Sequence, residues 1–305
     1  MNRLQILILV GIIFPIIILG SIALNRNYYT SRFTNYMIRF KKCGKNKSAC
    51  KTSFPIFYIN MDHNKDRRDY IEKQLDGITD NYKRIKGFNG FMIENTSHDT
   101  VNGIEFYNEF PDLTKSEIGC TLSHIIAIYT AYTGGYDKVW ICEDDVSLIT
   151  CGVIPSIEHV VDNAPSDWGI LQLSITGEEA VAGMQNAPNY SFVKRTKKVN
   201  YWSCLSYIIN RKGMEDILSN SLVRSKDKVV FRIQNKAGNR TCDTFGEADY
   251  YIYNLTTTYT ITPCLFFSNN LDMESTIHAD HTLGHIRSSL NIAKKYDKVL
   301  KLNGC

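Results

Sequence analysis

The chain is expected to fold as an α/β layer structure built on a mostly parallel sheet. Two observations carry this. From Phe54 onward, short apolar runs alternate with helical patterns, as successive strand and helix units do. One run, Val139-Trp140-Ile141-Cys142, is apolar without a break, the mark of a strand buried on both faces. It ends abruptly in Glu143-Asp144-Asp145. In open α/β sheets, ligands bind beyond the carboxyl ends of the strands. Three carboxylates crowded there repel one another unless a cation sits among them, and a divalent metal is the simplest such cation. A solvated acidic turn is the alternative.

The elements follow in order. Phe54–Ile59 reads as the first strand, Asp66–Leu75 as a helix and Tyr82–Phe88 as a short second strand. Lys115–Tyr132 is a helix, with Thr114 as N-cap and Glu117 three residues on to complete a capping box. Its apolar stripe is Ile118, Leu122, Ile125, Ile126 and Tyr129, while Glu117, Thr121 and His124 fall on an adjoining face that could line a cleft. Val139–Cys142, Trp168–Leu173 and Trp202–Ile209 are further strands, the last followed by a helix over Lys212–Ser219. There are no internal repeats. A net charge of +4, with no basic patch interleaved with aromatics, argues against a nucleic-acid partner.

The N-terminus is a separate problem. Leu4–Leu24 carries no charge. At about 1.5 Å per residue it spans about 31 Å, the thickness of a hydrocarbon core. It therefore reads as an uncleaved single-pass anchor, with a cleaved signal peptide as the rival. Basic residues follow it in excess (Arg26, Arg32, Arg39, Lys41, Lys42), which favours a cytosolic domain, whereas a lumenal domain on a signal anchor prefers the opposite bias. The side of the membrane stays open. The expected organisation is an anchor over 1–24, a basic stem over 25–52 and a catalytic domain over 53–305. The nine cysteines include no C-x-x-C pair, which argues against a zinc ribbon or redox motif; Cys43 and Cys50 could close a stem loop if the compartment is oxidising.

Three further stretches bear on chemistry. In "FYINMDHNKDRRDYIEKQL" a strand ends at Asn60, and a polar loop carries Asp62, Asp66, Arg67 and Arg68 into a helix start. Arginine there suits a phosphate, because its planar fork binds anions bidentately; a charged helix face is the plainer reading. Late in the chain, His278, His281 and His285 share one face if helical, and imidazole is a good ligand for manganese or zinc. Asp249, opening a tyrosine-rich stretch after Gly246, is the candidate general base, with Glu247 and Asp243 as rivals. Tyr250, Tyr251 and Tyr253 could stack on an acceptor sugar or simply pack as core.

"INMDHNKDRR", "LTKSEIGCTLSH" and "VWICEDDV", in that order, resemble the motifs of glycosyltransferase family 25, and a fainter likeness runs on to about Gly213. The resemblance implies a GT-A-type fold, Rossmann-like, behind the N-terminal helix. It implies an inverting hexosyltransferase that takes a UDP-hexose, most often galactose, to a hydroxyl of a glycan or glycoprotein acceptor, collagen-like proteins included. It implies a divalent metal, manganese in the first instance, on Asp145, with one of His278 and His281, His278 in the first instance, completing the ligand set and His285, a turn further away, mattering little. Asn60, Asp62, Arg67, Arg68, Glu117, His124, Glu143 and Asp144 are then the donor-binding residues, Glu143 at the nucleoside end and Asp144 at the sugar hydroxyls. Ser116 stands where the family has glycine, and "TCDTFGEADYYIY" departs from the family's later segment, so the acceptor side is less well matched than the donor side. A membrane-tethered binding or adhesion module that has lost its acceptor site is the second reading, and a metal-dependent hydrolase the third.

Overall fold

The computed structural model describes residues 27–42, 47–185, 190–196, 199, 201–225, 228–234, 246–269 and 282–302. In chain order the elements are a helix α1 over 27–42, β1 (Ile56–Asn60), α2 (Lys65–Leu75), β2 (Tyr82–Lys86), β3 (His98–Val101), β4 (Ile104–Asn108), α3 (Lys115–Thr133), β5 (Lys138–Glu143), β6 (Val146–Ser147), α4 (Ile157–Asp162) and β7 (Ile170–Gln172). They continue as α5 (Glu178–Gln185), β8 (Ser191–Lys194), β9 (Ser206–Asn210), α6 (Arg211–Ser221), β10 (Leu222–Ser225), β11 (Lys228–Ile233), α7 (Ala248–Asn254), β12 (Thr258–Thr262), β13 (Phe267–Ser268) and α8 (Thr282–Leu302).

The main sheet has seven strands in the order β2-β1-β5-β9-β7-β12-β8. Parallel pairing joins β1 to β2 and β5, and β7 to β12, while β9 and β8 run the other way. The α/β expectation with a mostly parallel sheet is met. Alternate residues feed two cores, as the period of two requires. Tyr58, Trp140, Cys142, Leu171 and Ile208 face one core, with Ile71 of α2 and Leu290 of α8. Phe57, Ile59, Ile141, Ile170 and Ile209 face the other, with Leu122 of α3, Ile217 of α6 and Ile252 of α7. The register sets Ile59 beside Glu143, so the carboxyl ends of β1 and β5 lie together and Asn60 comes beside the acidic turn.

A second sheet, in the order β10-β11-β4-β3, was not anticipated. The hairpin β3–β4 turns on Asn102-Gly103, both with positive φ (52° and 80°), the geometry that an Asn-Gly pair favours in a two-residue turn. The strand expected at Trp202–Ile209 begins only at Ser206. Trp202 makes an isolated antiparallel bridge to Thr176 instead.

The segment 25–52, expected to be a stem, is built into the domain over most of its length. Helix α1 has Phe33 and Phe40 buried, Phe33 packing edge-on against Phe267 at 5.3 Å between ring centroids. Arg39 pairs with Asp297 of α8, and the Arg287 guanidinium lies 4.8 Å from the Tyr29 ring centre. The stripe Tyr29, Phe33, Tyr36, Phe40 has helical spacing, but its many basic neighbours concealed it. The apolar run 4–24, the anchor, lies outside the described residues. Among those residues no helix is long and apolar enough to cross a membrane. Cys43 also lies outside them, and Cys50 is not paired with it: Cys50 is bonded to Cys151, with 5.4 Å between Cα atoms, across a sequence separation of 101.

That disulfide closes a long loop in the unfolded chain. Reducing it, or replacing either partner (Cys50→Ser, Cys151→Ser), is expected to lower stability by about 2–5 kcal/mol. Urea unfolding with and without dithiothreitol measures this, and the double variant should be no less stable than either single one.

Candidate active site

β5 delivers three carboxylates to one place, and each has a different environment. Asp144 is buried and held on two sides. Asn60 Nδ2 donates to its Oδ2 at 2.7 Å, and Arg67 Nη1 donates to its Oδ1 at 2.9 Å. Burial raises the Asp144 carboxyl pKa, with Arg67 and Asn60 opposing. Burial also works against the Arg67 cation, but the charges of Asp145, Asp144 and Glu143 outweigh it and hold the guanidinium more firmly protonated. Asn60 is fixed in turn: its Oδ1 accepts from Arg84 Nε at 3.0 Å, and its Nδ2 also reaches the Asn64 carbonyl at 3.0 Å.

Asp145 is pinned from the far end of the chain. β6 pairs with β13, the Asp145 carbonyl accepts from Asn269 N at 2.8 Å, and Ser268 Oγ donates to Asp145 Oδ2 at 2.7 Å. Its other oxygen, Oδ1, is buried and has no hydrogen-bond partner among the described residues. Burial, with the neighbouring Glu143 charge next, pushes this carboxyl up from 3.8 to about 7. A buried carboxylate oxygen with nothing to bind, among like charges, is chemically suited to a divalent cation, so the residues present fit the metal that the family motifs imply.

Glu143 Oε1 lies 3.2 Å from His124 Nε2, while His124 Nδ1 lies 3.1 Å from the Tyr207 hydroxyl. The buried imidazole orients Glu143. Ligand atoms of Cys120, His124 and Glu143 lie within 4.8 Å of one another, which makes a second possible cation site. It suits a soft metal, but burial and the surrounding acids push the Cys120 thiol pKa up, against the thiolate such a site needs. The hard oxygen donors at Asp145 are the better match to a hard divalent cation.

Two cavities meet at Cys120 and Glu143. The smaller, about 150 Å³, is lined by Asn60, Arg67, Phe91, His124 and Asp144. Its wall needs a glycine in the "SEIGC" motif, because a Cβ on Gly119 would lie 2.8 Å from Gly90 N where α3 crosses the preceding loop. The larger, about 360 Å³, holds Asp145, Asp249, Trp202, Tyr250 and His285. Asp249, in the first turn of α7, accepts from Ser203 N at 2.8 Å. Ser203 has φ of 110°, a conformation costly for a non-glycine residue, so this N–H is aimed at some expense in backbone energy. Burial raises the Asp249 carboxyl pKa, opposed by the Ser203 N–H and by Arg195.

Several expected site residues have other occupations. Asp62 is exposed and pairs with Arg84 at 2.7 Å and Lys86 at 2.6 Å, which hold its carboxyl down to about 2; it lines neither cavity. Arg68 also lines neither, since one residue on a helix turns it about 100° from Arg67. Arg67 itself is engaged with Asp144, so its first task is the turn rather than a phosphate. Glu117 caps α3, its Oε2 accepting from Thr114 N at 2.8 Å, although it also borders the larger cavity. His278, His281 and Asp243 lie outside the described residues. His285, set aside on spacing, does line the larger cavity, because α8 folds back over β13. Of the three tyrosines only Tyr250 reaches the cavity: Tyr251 is a core strut bonded to Ser221 and Arg232, and Tyr253 donates to the Ser203 carbonyl at 2.9 Å.

A family model described as glycosyltransferase family 25 (LPS biosynthesis protein) matches residues 54–226, more than half of the chain. The chain belongs to glycosyltransferase family 25. It is 27% identical over 186 residues to procollagen galactosyltransferase 1-B of Xenopus laevis, covering 55% of this chain and 29% of that protein. Procollagen galactosyltransferase 2 of Homo sapiens is 26% identical over 172 residues, 53% of this chain and 27% of that protein. A probable inactive glycosyltransferase 25 family member 3 of Bos taurus is 24% identical over 184 residues, covering 55% and 29%. The match thus spans less than a third of the length of these relatives.

The Asp145 environment sets a pH dependence in metal-free protein. Its folded pKa is raised, so the unfolded chain loses this proton near pH 4 while the folded chain keeps it to about pH 7. Stability therefore falls between those values and the full penalty is present above pH 7. Asp145→Asn is expected to be more stable than the parent by about 2–4 kcal/mol at pH 8, and equal to it near pH 4. Urea unfolding in a chelator at the two pH values decides it.

Proposed function

We propose that the chain transfers a hexose, galactose in the first instance, from a UDP-sugar to a hydroxyl of a glycan or glycoprotein acceptor, inverting the anomeric centre with the help of a divalent cation, manganese. The observation that carries this reading is one cavity holding both the buried Asp145 oxygen that has no partner among the described residues and a second carboxylate, Asp249, fixed by a backbone N–H. When bound, the cation supplies Lewis-acid stabilisation to the departing diphosphate. The chain's residues do the rest. Glu143, at the junction of the two cavities and oriented by His124, suits the nucleoside end of the donor. Asp144, clamped by Asn60 and Arg67, is oriented for donor sugar hydroxyls. Asp249 accepts the acceptor's hydroxyl proton as its oxygen bonds to the anomeric carbon. The bond from that carbon to the diphosphate breaks, and its electron pair leaves with UDP. A carboxylate whose pKa is raised towards the working pH is the better base for this step.

The relative named as a probable inactive member keeps the binding-module reading in view. The intact acidic triplet and the strained N–H on Asp249 favour the enzyme, since adhesion alone needs neither. The reading extends to location. A Cys50–Cys151 bond supports an oxidising compartment, the non-cytosolic side of the membrane that residues 4–24 would cross. Alkylation of intact cells before lysis should leave both cysteines unlabelled unless a reductant is added first; labelling without reductant contradicts that location.

Donor binding is the direct test. In thermal-shift and calorimetric titrations of the full-length protein, UDP-galactose or UDP-glucose with manganese should stabilise the fold, by about 2.7 kcal/mol at a hundred times Kd. Asp145→Asn should abolish the manganese-dependent part, and Arg67→Ala should weaken donor binding at least about ten-fold by freeing Asp144, a loss of about 1.4 kcal/mol. His285→Ala should cost more with manganese than with magnesium, as nitrogen ligands suit the transition metal. Unchanged donor affinity in Asp145→Asn would sink the metal assignment.

A further inference from the structure

The rim of the larger cavity carries a feature that donor binding leaves unused. Trp202 is 50% exposed, yet it is held through both its backbone and its indole. Its carbonyl accepts from Thr176 N at 3.1 Å, and its indole N–H donates to the Tyr250 hydroxyl at 2.6 Å. Tyr250 is itself backed by the buried Arg195 guanidinium, 5.6 Å from its ring centre, and Arg195 is anchored on Asn254 Oδ1 at 2.9 Å and the Tyr201 carbonyl at 2.6 Å. The two rings lie 6.2 Å apart and tilted at 54°, so neither covers the other's face. The indole's polar edge is satisfied, and half of the residue is left exposed at the cavity rim. Trp202 also precedes Ser203, whose N–H holds Asp249, and Tyr250 follows Asp249. The platform and the candidate base are thus neighbours along both segments.

We infer that Trp202, braced by Tyr250, is a stacking platform for the pyranose ring of the acceptor, so that the acceptor is a sugar already attached to its carrier rather than a bare amino-acid side chain. This rests on the transferase reading above. A pyranose presents an apolar C–H face to an aromatic ring and hydroxyls around its edge. The described lining of the cavity supplies both partners: one half-exposed indole, then carboxylates and serine hydroxyls, with no lysine or arginine. An ammonium-bearing side chain would settle among the acids near Asp145 and compete with the cation there, leaving the indole idle. Only a neutral ring uses the face and the edge together.

The test exploits the chain's three tryptophans. Trp140 is fully buried and Trp168 does not line the cavity, so cavity ligands should report through Trp202. The full-length protein, loaded with UDP and manganese, is titrated with methyl β-galactoside, with methyl β-glucoside and with a hydroxylysine-containing Gly-X-Y peptide, following tryptophan emission at low and high salt. A pyranoside should change the emission independently of salt, and Trp202→Ala should remove the change. In turnover, Trp202→Ala should raise KM for the pyranoside about ten-fold, leaving donor affinity unaltered. Trp202→Phe should retain most of the affinity, and Tyr250→Phe should lose part of it. A pyranoside response that survives in Trp202→Ala overturns the platform. So does a response confined to the peptide and abolished by salt. If the parent binds no UDP-sugar with any cation but pyranosides still act through Trp202, the transferase reading fails and the platform stands.

Discussion

Three carboxylates crowded at the end of a strand whose middle is buried repel one another unless something answers their charge, and the site is organised around that constraint. At an effective dielectric of about 20, two unit charges about 4 Å apart cost or gain about 4 kcal/mol. Arg67 answers one carboxylate, Asp144, and Asn60 satisfies its second oxygen. His124 steadies Glu143 at the cavity junction. Asp145 is left with one oxygen bonded to Ser268 and the other buried without a partner among the described residues. Removing one member of such a buried pair is costlier than never having had it, because a desolvated charge is left behind. The same acids that repel one another in the apoprotein are what make the turn receptive to a cation.

The pieces that satisfy this constraint come from distant parts of the chain. β1 contributes Asn60 and α2 contributes Arg67, both close in sequence to each other and far from β5. β13 clamps the turn through β6, and α8 folds over it with His285. Helix α1 packs on β13 through Phe33 and Phe267, and on α8 through Arg39 and Asp297. The region before the first strand is therefore part of the support behind the candidate metal position. The Cys50–Cys151 bond fastens the same region to the segment just after β6.

On the other side of the larger cavity, backbone geometry does the work that charge does around Asp144. Ser203 holds φ of 110° so that its N–H meets Asp249, and its carbonyl is bonded to Tyr253 and Gln172. The described part of the departure noted over "TCDTFGEADYYIY", from Gly246 onward, falls on this side.

What the sequence determined by itself is what local periodicity and local order carry. The unbroken apolar run before Glu143, the capping box Thr114–Glu117 and the alternation of strand and helix each report on neighbours in the chain, and the α/β fold and the acidic turn followed from them. The Asn102-Gly103 hairpin was equally local and went unread. Assignments that depended on partners did not transfer. Asp62 and Arg68 have the right chemistry, but Arg84 and Lys86 claim one and helix rotation turns the other away. His285 looked a turn too far along, and Trp202 looked like the start of a strand, until α8 and the Thr176 bridge set both at the cavity. Only the tertiary structure could decide these. A side chain's role is fixed by which opposite charge, donor or open face it meets, and those partners are supplied by segments up to hundreds of residues away, whose approach no local pattern encodes.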